Sequence, residues 1–246
     1  QLGDDSFRTR EQAYHELLKI GLPARRALVR GLRSPDLEIR LRARRLLRQV
    51  ADEEFEGRLA AFIADVNGTR EHDLPAWKRY RESIGNTRMA RTLFVNMIRE
   101  EMPLLQAFES GRKLGQLFSE RVKSLQPYSS INSSGPRVAS SQSLATMLFL
   151  VAQPELTVDQ ITHQQMFSLL QYTGTQNMVK GSPYRDVLLG MLDAWVRTLD
   201  KQLPNAYYPL MITLKYDMKE AGFDIAKKHL GNTTTSSSAQ QYAIMG

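Results

Sequence analysis

The sequence predicts an all-α protein, because apolar residues recur at helical spacing along most of its length. The clearest example is the set Ala90, Leu93, Phe94, Met97 and Ile98, which follows the i, i+3, i+4, i+7, i+8 pattern of a buried helix face. No stretch combines sustained apolar–polar alternation with enrichment in β-branched residues, so strands are not expected. A self-similarity of thirty residues near the N-terminus indicates paired helices.

This repeat lies within residues 1–51. A shift of thirty residues aligns Arg10 with Arg40 and Ala13 with Ala43, and it also aligns Leu17 with Leu47 and Ile20 with Val50. On a helix these side chains fall on or beside one stripe, where alanine lets a neighbouring helix approach closely. Each copy is therefore predicted to contribute one packed helix.

A shorter helix, Pro23–Leu32, is predicted between the copies, with Ala27, Leu28 and Leu32 facing inward. Proline suits its first turn, where the missing N–H leaves no bond unmade. Ser34 is the expected N-cap of the following helix, with Pro35 and Asp36 in its first turn.

These residues resemble a HEAT-type helical repeat, and residues 7–21 resemble the second helix of a preceding one. Ala239–Gly246 resembles the start of a further repeat helix. The whole chain, including Leu74–Arg81 and Arg91–Met97, is similar to large HEAT-like proteins of planctomycete-type bacteria. The resemblance implies α-solenoid segments flanking an irregular helical region, and it favours an exported or periplasmic location over a cytoplasmic one. The residues that carry it are Pro23, Ala27, Leu28, Leu32, Asp36, Ile39, Arg40, Ala43, Leu46 and Leu47.

The rest of the chain divides into a helical region at 52–125, a Ser-rich linker or loop at 126–143 and a second helical region at 144–246. In the first region, Asp52–Val66 is expected to form a separate amphipathic helix, and Pro103 to end or kink another.

In the second helical region, Leu144–Ala152 is apolar on nearly all sides and is therefore predicted to be central and buried. Ser182 and Pro183 are expected to cap the next long helix. Tyr207–Leu230 is expected to give two helices with a break near Gly222. Eight inward positions are predicted on these segments, namely Met166, Phe167, Leu170, Leu188, Met191, Leu192, Trp195 and Leu199.

Composition and charge limit the possible functions. The chain has 246 residues and a net charge of +7, of which +6 lies in residues 1–50, where twelve basic residues face six acidic ones. It has no cysteine, so disulfides and thiolate metal sites are excluded. Its longest apolar run, nine residues, is too short to span a bilayer. The chain begins without methionine and ends inside a predicted helical pattern, so we expect it to be part of a longer protein.

Catalytic and metal-binding patterns are weak in this sequence. The four histidines, at positions 15, 72, 163 and 229, are too far apart in sequence to form a helical metal pair, and neither a phosphate loop nor a G-x-S-x-G motif occurs. Glu100 and Glu101 are expected on a solvated helix face. We therefore predict no enzymatic activity, no metal, no cofactor and no small-molecule ligand. An enzyme that uses the central helices is a weaker alternative.

Two rows of arginines are the most informative polar feature. One row is Arg26, Arg30 and Arg33, and the other is Arg40, Arg44 and Arg48, with Arg42 and Arg45 further round the helix. The residues predicted to contact a partner are Arg26, Arg30, Arg33, Arg44, Arg45 and Arg48. Arginine recognises carboxylates and phosphates in a bidentate manner, but such rows are also typical of a solvated helix face. The favoured functional interpretation is a protein partner with an acidic surface. Nucleic acid is the alternative, although few aromatic residues in this segment could stack on bases.

A second basic–aromatic patch is predicted at Trp77, Arg79 and Arg81, although packing of Trp77 beneath a neighbouring helix is the simpler interpretation. Together the patterns predict a non-enzymatic α-helical repeat module for protein–protein interaction or scaffolding, with binding to a phosphate backbone as the alternative.

Overall fold

The computed structural model describes residues 2–127, 138–202 and 207–231, and in these ranges it contains twelve α-helices and no strand. The all-α prediction is confirmed. Residues 128–137, which belong to the predicted linker, and the predicted helix at 239–246 lie outside the described residues. The chain divides into two compact units, Gln1–Leu74 and Pro75–Gly246.

The N-terminal unit consists of three helices. These are α1 (Phe7–Ile20), α2 (Arg25–Gly31) and α3 (Leu37–Ala64), with a 3₁₀ turn at Leu22–Ala24 leading into α2. Both α1 and α2 pack against α3. The helix predicted between the two copies of the repeat is therefore present, but it begins at Arg25, and Pro23 lies in the 3₁₀ turn before it.

The core of this unit joins α2 to α3. Leu28 and Leu46 are fully buried there with Ala24. Side chains of α1 and the start of the chain border them, namely Leu2, Tyr14, Leu17 and Leu18, together with Leu47 of α3. Ala27, which was predicted to face inward, is exposed, because the inward line of this short helix runs through Ala24 and Leu28.

The thirty-residue repeat reappears in the hydrogen bonds at the two helix starts. Ser6 caps α1 by accepting from the Thr9 N–H, and Asp36 caps α3 by accepting from the N–H groups of Glu38 and Ile39. Arg10 and Arg40 each donate from Nη1 to the carbonyl oxygens five and six residues before them, at 3.0 and 2.6 Å for Arg10 and 2.7 and 2.8 Å for Arg40. The predicted cap at Ser34 was wrong, since its hydroxyl instead accepts from the Asp36 N–H.

Helix α3 is continuous for 28 residues, so the separate helix predicted from Asp52 was wrong. The predicted division between residues 51 and 52 falls inside this helix. After it ends, the buried carboxylate of Asp65 accepts from the N–H groups of Thr69 and Arg70 and lies 2.9 Å from Nε2 of His72. These bonds fix the turn that follows α3.

The C-terminal unit contains the other nine helices of the described chain. They are α4 (Trp77–Ile84), α5 (Arg88–Ser110), α6 (Leu114–Ser124), α7 (Ser141–Val151), α8 (Gln160–Gln171), α9 (Thr173–Gly181), α10 (Arg185–Gln202), α11 (Tyr207–Lys215) and α12 (Lys219–Gly231). None of the helices within the described ranges is both long enough and apolar enough to cross a bilayer.

Helix α7 lies at the centre of this unit, packed against α5 and α10. Its residues 143–151 are all buried, which confirms the prediction made from its apolar composition. The inward positions predicted on α8 and α10 are confirmed as well, including Trp195, which is fully buried.

Two interruptions shape the helices of this unit. Pro103 follows a kink in α5, where Glu101 adopts non-helical φ/ψ of −125° and 29°, as the sequence predicted. The break predicted near Gly222 instead lies between α11 and α12, where Asp217 has φ 56°. Gly222 lies inside α12, where the lack of a side chain lets Thr213 approach. An added Cβ at this position would be 2.9 Å from the threonine oxygen.

Candidate functional site

The outer side of α3 is basic and partly apolar. At about 100° per residue, Arg44, Arg45 and Arg48 lie on the same side of the helix as Leu37 and Leu41. All five are exposed, and the two leucines retain 59% and 50% of their accessible surface. We call this set the α3 face. In the described part of the chain, none of its guanidinium groups has an ion pair or hydrogen bond.

Other arginines of the same unit have structural partners. Arg42 lies between Glu11, at 2.7 Å, and Glu38, at 2.6 Å. Hydrogen bonds to these carboxylates raise the pKa of Arg42, and the bond from Arg42 lowers the pKa of Glu11. Arg10 and Arg40 are held by the carbonyl groups at the helix starts. The arginines of the α3 face are thus distinct from those that hold the fold.

The structure separates the two predicted arginine rows. Arg26 and Arg30 are exposed on α2, and Arg33 is exposed in the turn that follows. Leu28 and Leu46 pack in one cluster, and each row lies on the side of its helix away from that cluster. The rows therefore lie on opposite outer sides of the α2–α3 pair rather than on one continuous surface.

The second predicted patch contains a core residue. Trp77 is 1% exposed and packs with Tyr80 and Phe94, with ring centroids 6.0 and 5.0 Å from its own. Arg79 is exposed and pairs with Glu155, while Arg81 is half-buried. The buried Trp77 ring is therefore not available to a ligand at the surface.

A buried polar cluster in the C-terminal unit was missed from sequence. Glu101 was expected to be solvated but is 4% exposed, and it accepts from Nε and Nη2 of Arg121 at 2.6–3.0 Å. The Ser143 hydroxyl lies 2.5 Å from Glu101 and 2.7 Å from Glu100. The cluster joins α5 at its kink to α6 and α7. The burial of Glu101 could have been predicted from its position, because residue 101 continues the inward stripe of α5 through residues 94 and 98.

The histidines do not assemble a metal site. No group of three or more histidine or carboxylate side chains that could hold a metal ion occurs among the described residues. His72 is engaged by Asp65 and meets the Phe62 ring edge-on, with centroids 5.0 Å apart. Burial lowers the pKa of His163 on α8. His72 and His163 therefore lie in separate local environments.

Comparison with known proteins finds no matching protein family, no matching curated protein and no matching solved structure.

Proposed function

We propose that this chain is a non-enzymatic helical module, with a HEAT-type pair at α2 and α3, that binds an acidic segment of a protein partner on the α3 face. The observation that carries the proposal is the contrast between the three exposed, unpaired arginines of the α3 face and Arg10, Arg40 and Arg42, whose guanidinium groups are bonded to carbonyl or carboxylate oxygens of the same unit. Surface arginines that have no partner within the described chain are available for carboxylates from outside it.

Charge repulsion supports this assignment. Arg44 and Arg48 are four residues apart on one helix, and like charges at this spacing destabilise a helix by about 0.2–0.5 kcal/mol. Asp52, four residues after Arg48 on the same helix, offsets only part of this repulsion, and no carboxylate of the described chain forms an ion pair with Arg44, Arg45 or Arg48. Carboxylates of a partner would relieve it and form bidentate bonds at the same time.

The apolar part of the face favours protein over nucleic acid. Leu41 and Leu37 lie about one and two turns before Arg44 and offer exposed aliphatic surface, which a phosphate backbone does not match. The five residues of this face include no aromatic ring to stack on a base, and Phe55, two turns after Arg48, is half-buried with Arg58 over its ring. An acidic segment with its own apolar residues would match both parts of the face.

The test compares two triple charge reversals. Arg44→Glu/Arg45→Glu/Arg48→Glu alters the α3 face, and the reversal of Arg26, Arg30 and Arg33 is the matched control, with the same charge change on the opposite side of the helix pair. Tagged wild-type and variant proteins are used to capture partners from source lysate with and without nuclease treatment, with quantitative mass spectrometry as the readout.

We expect a captured protein with an acidic, apolar-containing segment to be lost in the α3-face variant and retained in the control. Equal loss in both variants would mean a general charge effect and would contradict the proposed face. Capture that disappears with nuclease, together with duplex DNA affinity that falls on a log–log salt plot by about 0.9 per neutralised phosphate, would assign the face to nucleic acid instead.

A further inference from the structure

A cavity of about 620 Å³ lies within the C-terminal unit, beside α8. Its lining comes from α8, the segment after α6, the start of α9 and α11. Small-molecule sites usually have volumes of about 300–1,000 Å³, so the cavity has the size of a ligand site. It is independent of the α3 face, which belongs to the other unit.

An aromatic stack forms one wall of this cavity. The rings of Phe167 and Tyr208 are 4.4 Å apart between centroids and only 15° from parallel. Trp195 supports Phe167 from behind, at 5.3 Å. Because Phe167 and Trp195 are buried, this wall is held by the core and is preformed.

Polar side chains with unused hydrogen-bonding capacity form the other side. Gln164, Ser168 and Gln171 lie along one line of α8, at i, i+4 and i+7, and Tyr172 follows them. Within the described chain, none of these four side chains makes a hydrogen bond. Gln126, by contrast, donates to two backbone carbonyls at 3.0 Å and is used in the fold.

No charged residue occurs among the described residues that line the cavity, although the chain has 33 basic and 26 acidic side chains. An ionic ligand would find no opposite charge among these residues. The free groups are carboxamides and hydroxyls, each of which both donates and accepts. A neutral ligand whose own groups both donate and accept hydrogen bonds matches this lining.

We infer that the cavity binds a neutral polyhydroxylated ligand, namely one or two sugar rings. Hydroxyl groups of the sugar would bond to Gln164, Ser168 and Gln171, and its less polar ring face would pack on the partly exposed ring of Tyr208, which the buried Phe167 holds in place. The site goes beyond the proposed protein-binding function and does not depend on it.

The test is isothermal titration of the full 246-residue chain with maltose, cellobiose and N,N′-diacetylchitobiose. Methyl β-glucoside and methyl β-glucuronide form a matched pair that differs by a carboxylate. Tryptophan fluorescence locates the binding, since Trp195 is in ring contact with the wall. The variant Gln164→Ala/Gln171→Ala removes two free amides, and Gln106→Ala removes an exposed amide on α5 as the control.

We expect saturable binding of at least one neutral sugar, with the glucuronide weaker than the glucoside. The double variant should weaken binding about tenfold, since each lost hydrogen bond lowers affinity several-fold, while Gln106→Ala should leave it unchanged. Because the two glutamines are exposed, circular dichroism should show an unaltered fold.

Three results would overturn the inference. One is the absence of saturable binding by every neutral sugar up to about 10 mM. Another is binding that the double variant leaves intact. The third is binding of a neutral dipeptide amide with none of the sugars, which would assign the cavity to peptide. None of these results bears on partner capture by the α3 face, so the two proposals fail separately.

Discussion

The substitution Glu101→Gln tests whether the buried cluster at the α5 kink holds the C-terminal unit together. It keeps the shape of the side chain and removes its charge. Breaking a buried pair by removing one partner costs about 3–5 kcal/mol. The Arg121 side chain is 33% exposed, so water compensates part of the loss, and we expect about 2 kcal/mol. Glu100→Gln is the control, because Glu100 is adjacent but exposed, and it should cost less than about 1 kcal/mol.

Urea unfolding followed by tryptophan fluorescence measures this difference. Both tryptophans of the chain, Trp77 and Trp195, belong to the C-terminal unit, so the signal reports that unit even when the N-terminal unit unfolds separately. A loss of about 2 kcal/mol should lower the urea concentration at the unfolding midpoint, with little change in the dependence of the unfolding free energy on urea concentration. Equal midpoints for the two variants would refute the conclusion that the buried pair stabilises this unit.

Three further predictions concern helix starts, histidine and glycine. Asp36→Ala should destabilise the N-terminal unit by about 1 kcal/mol, measured by thermal circular dichroism, and Ser34→Ala should cost clearly less, because Asp36 is the cap. Burial lowers the pKa of His163 below its ordinary 6.5, so the unfolded chain takes up this proton at higher pH. The contribution of His163 to folding stability is complete above pH 6.5 and is lost as the pH falls through the folded pKa. The variant His163→Gln should therefore flatten this part of a stability-versus-pH curve. Gly190→Ala, where the added Cβ meets nothing within 4 Å, should stabilise by about 0.5–1 kcal/mol in urea unfolding, whereas Gly222→Ala should not.

Sequence reasoning succeeded where the determining interactions are local. The helical period of apolar residues predicted the all-α class, and the continuous apolar run predicted the buried α7. Pro103 predicted the kink in α5 because a proline inside a helix has no N–H for the bond to the carbonyl four residues before it, and its ring clashes with that carbonyl. These features need no knowledge of the partner helix.

The predictions from sequence were wrong where two local signals competed. The acidic residues from Asp52 onward are typical of a first helical turn, but no proline or glycine separates them from Val50, and α3 continues through them. Gln49 donates to Glu53 at 3.2 Å and so uses one of these acids inside the helix. Likewise both Ser34 and Asp36 can cap, and the carboxylate that reaches the N–H groups of Glu38 and Ile39 prevails.

Distant partners account for the remaining failures. Glu101 is buried because Arg121 and Ser143, twenty and forty-two residues later, converge on its carboxylate. The stacked wall of the cavity joins Phe167 to Tyr208 from another helix. Spacing along α5 places residue 101 on the buried face of its helix, but no spacing rule within a single helix identifies the distant partners, so the pairings that form the cluster and the cavity could not be predicted.

The register of the thirty-residue repeat separates structural arginines from those available for binding. Arg10 and Arg40 occupy equivalent positions and make equivalent bonds, so this arginine belongs to the repeat itself. The positions equivalent to Arg44, Arg45 and Arg48 are occupied in α1 by tyrosine, histidine and leucine, so the fold of a repeat does not require arginine there.

This separation predicts opposite outcomes for two similar substitutions. Arg40→Leu should lower the stability of the N-terminal unit by about 1 kcal/mol, because it removes two hydrogen bonds to carbonyl groups at the start of α3. Arg44→Leu should leave stability unchanged or slightly higher, since it removes repulsion with Arg48. Thermal circular dichroism measures both changes. Equal destabilisation by the two substitutions would show that Arg44 also holds the fold, and the α3 face would lose its status as a surface available to a partner.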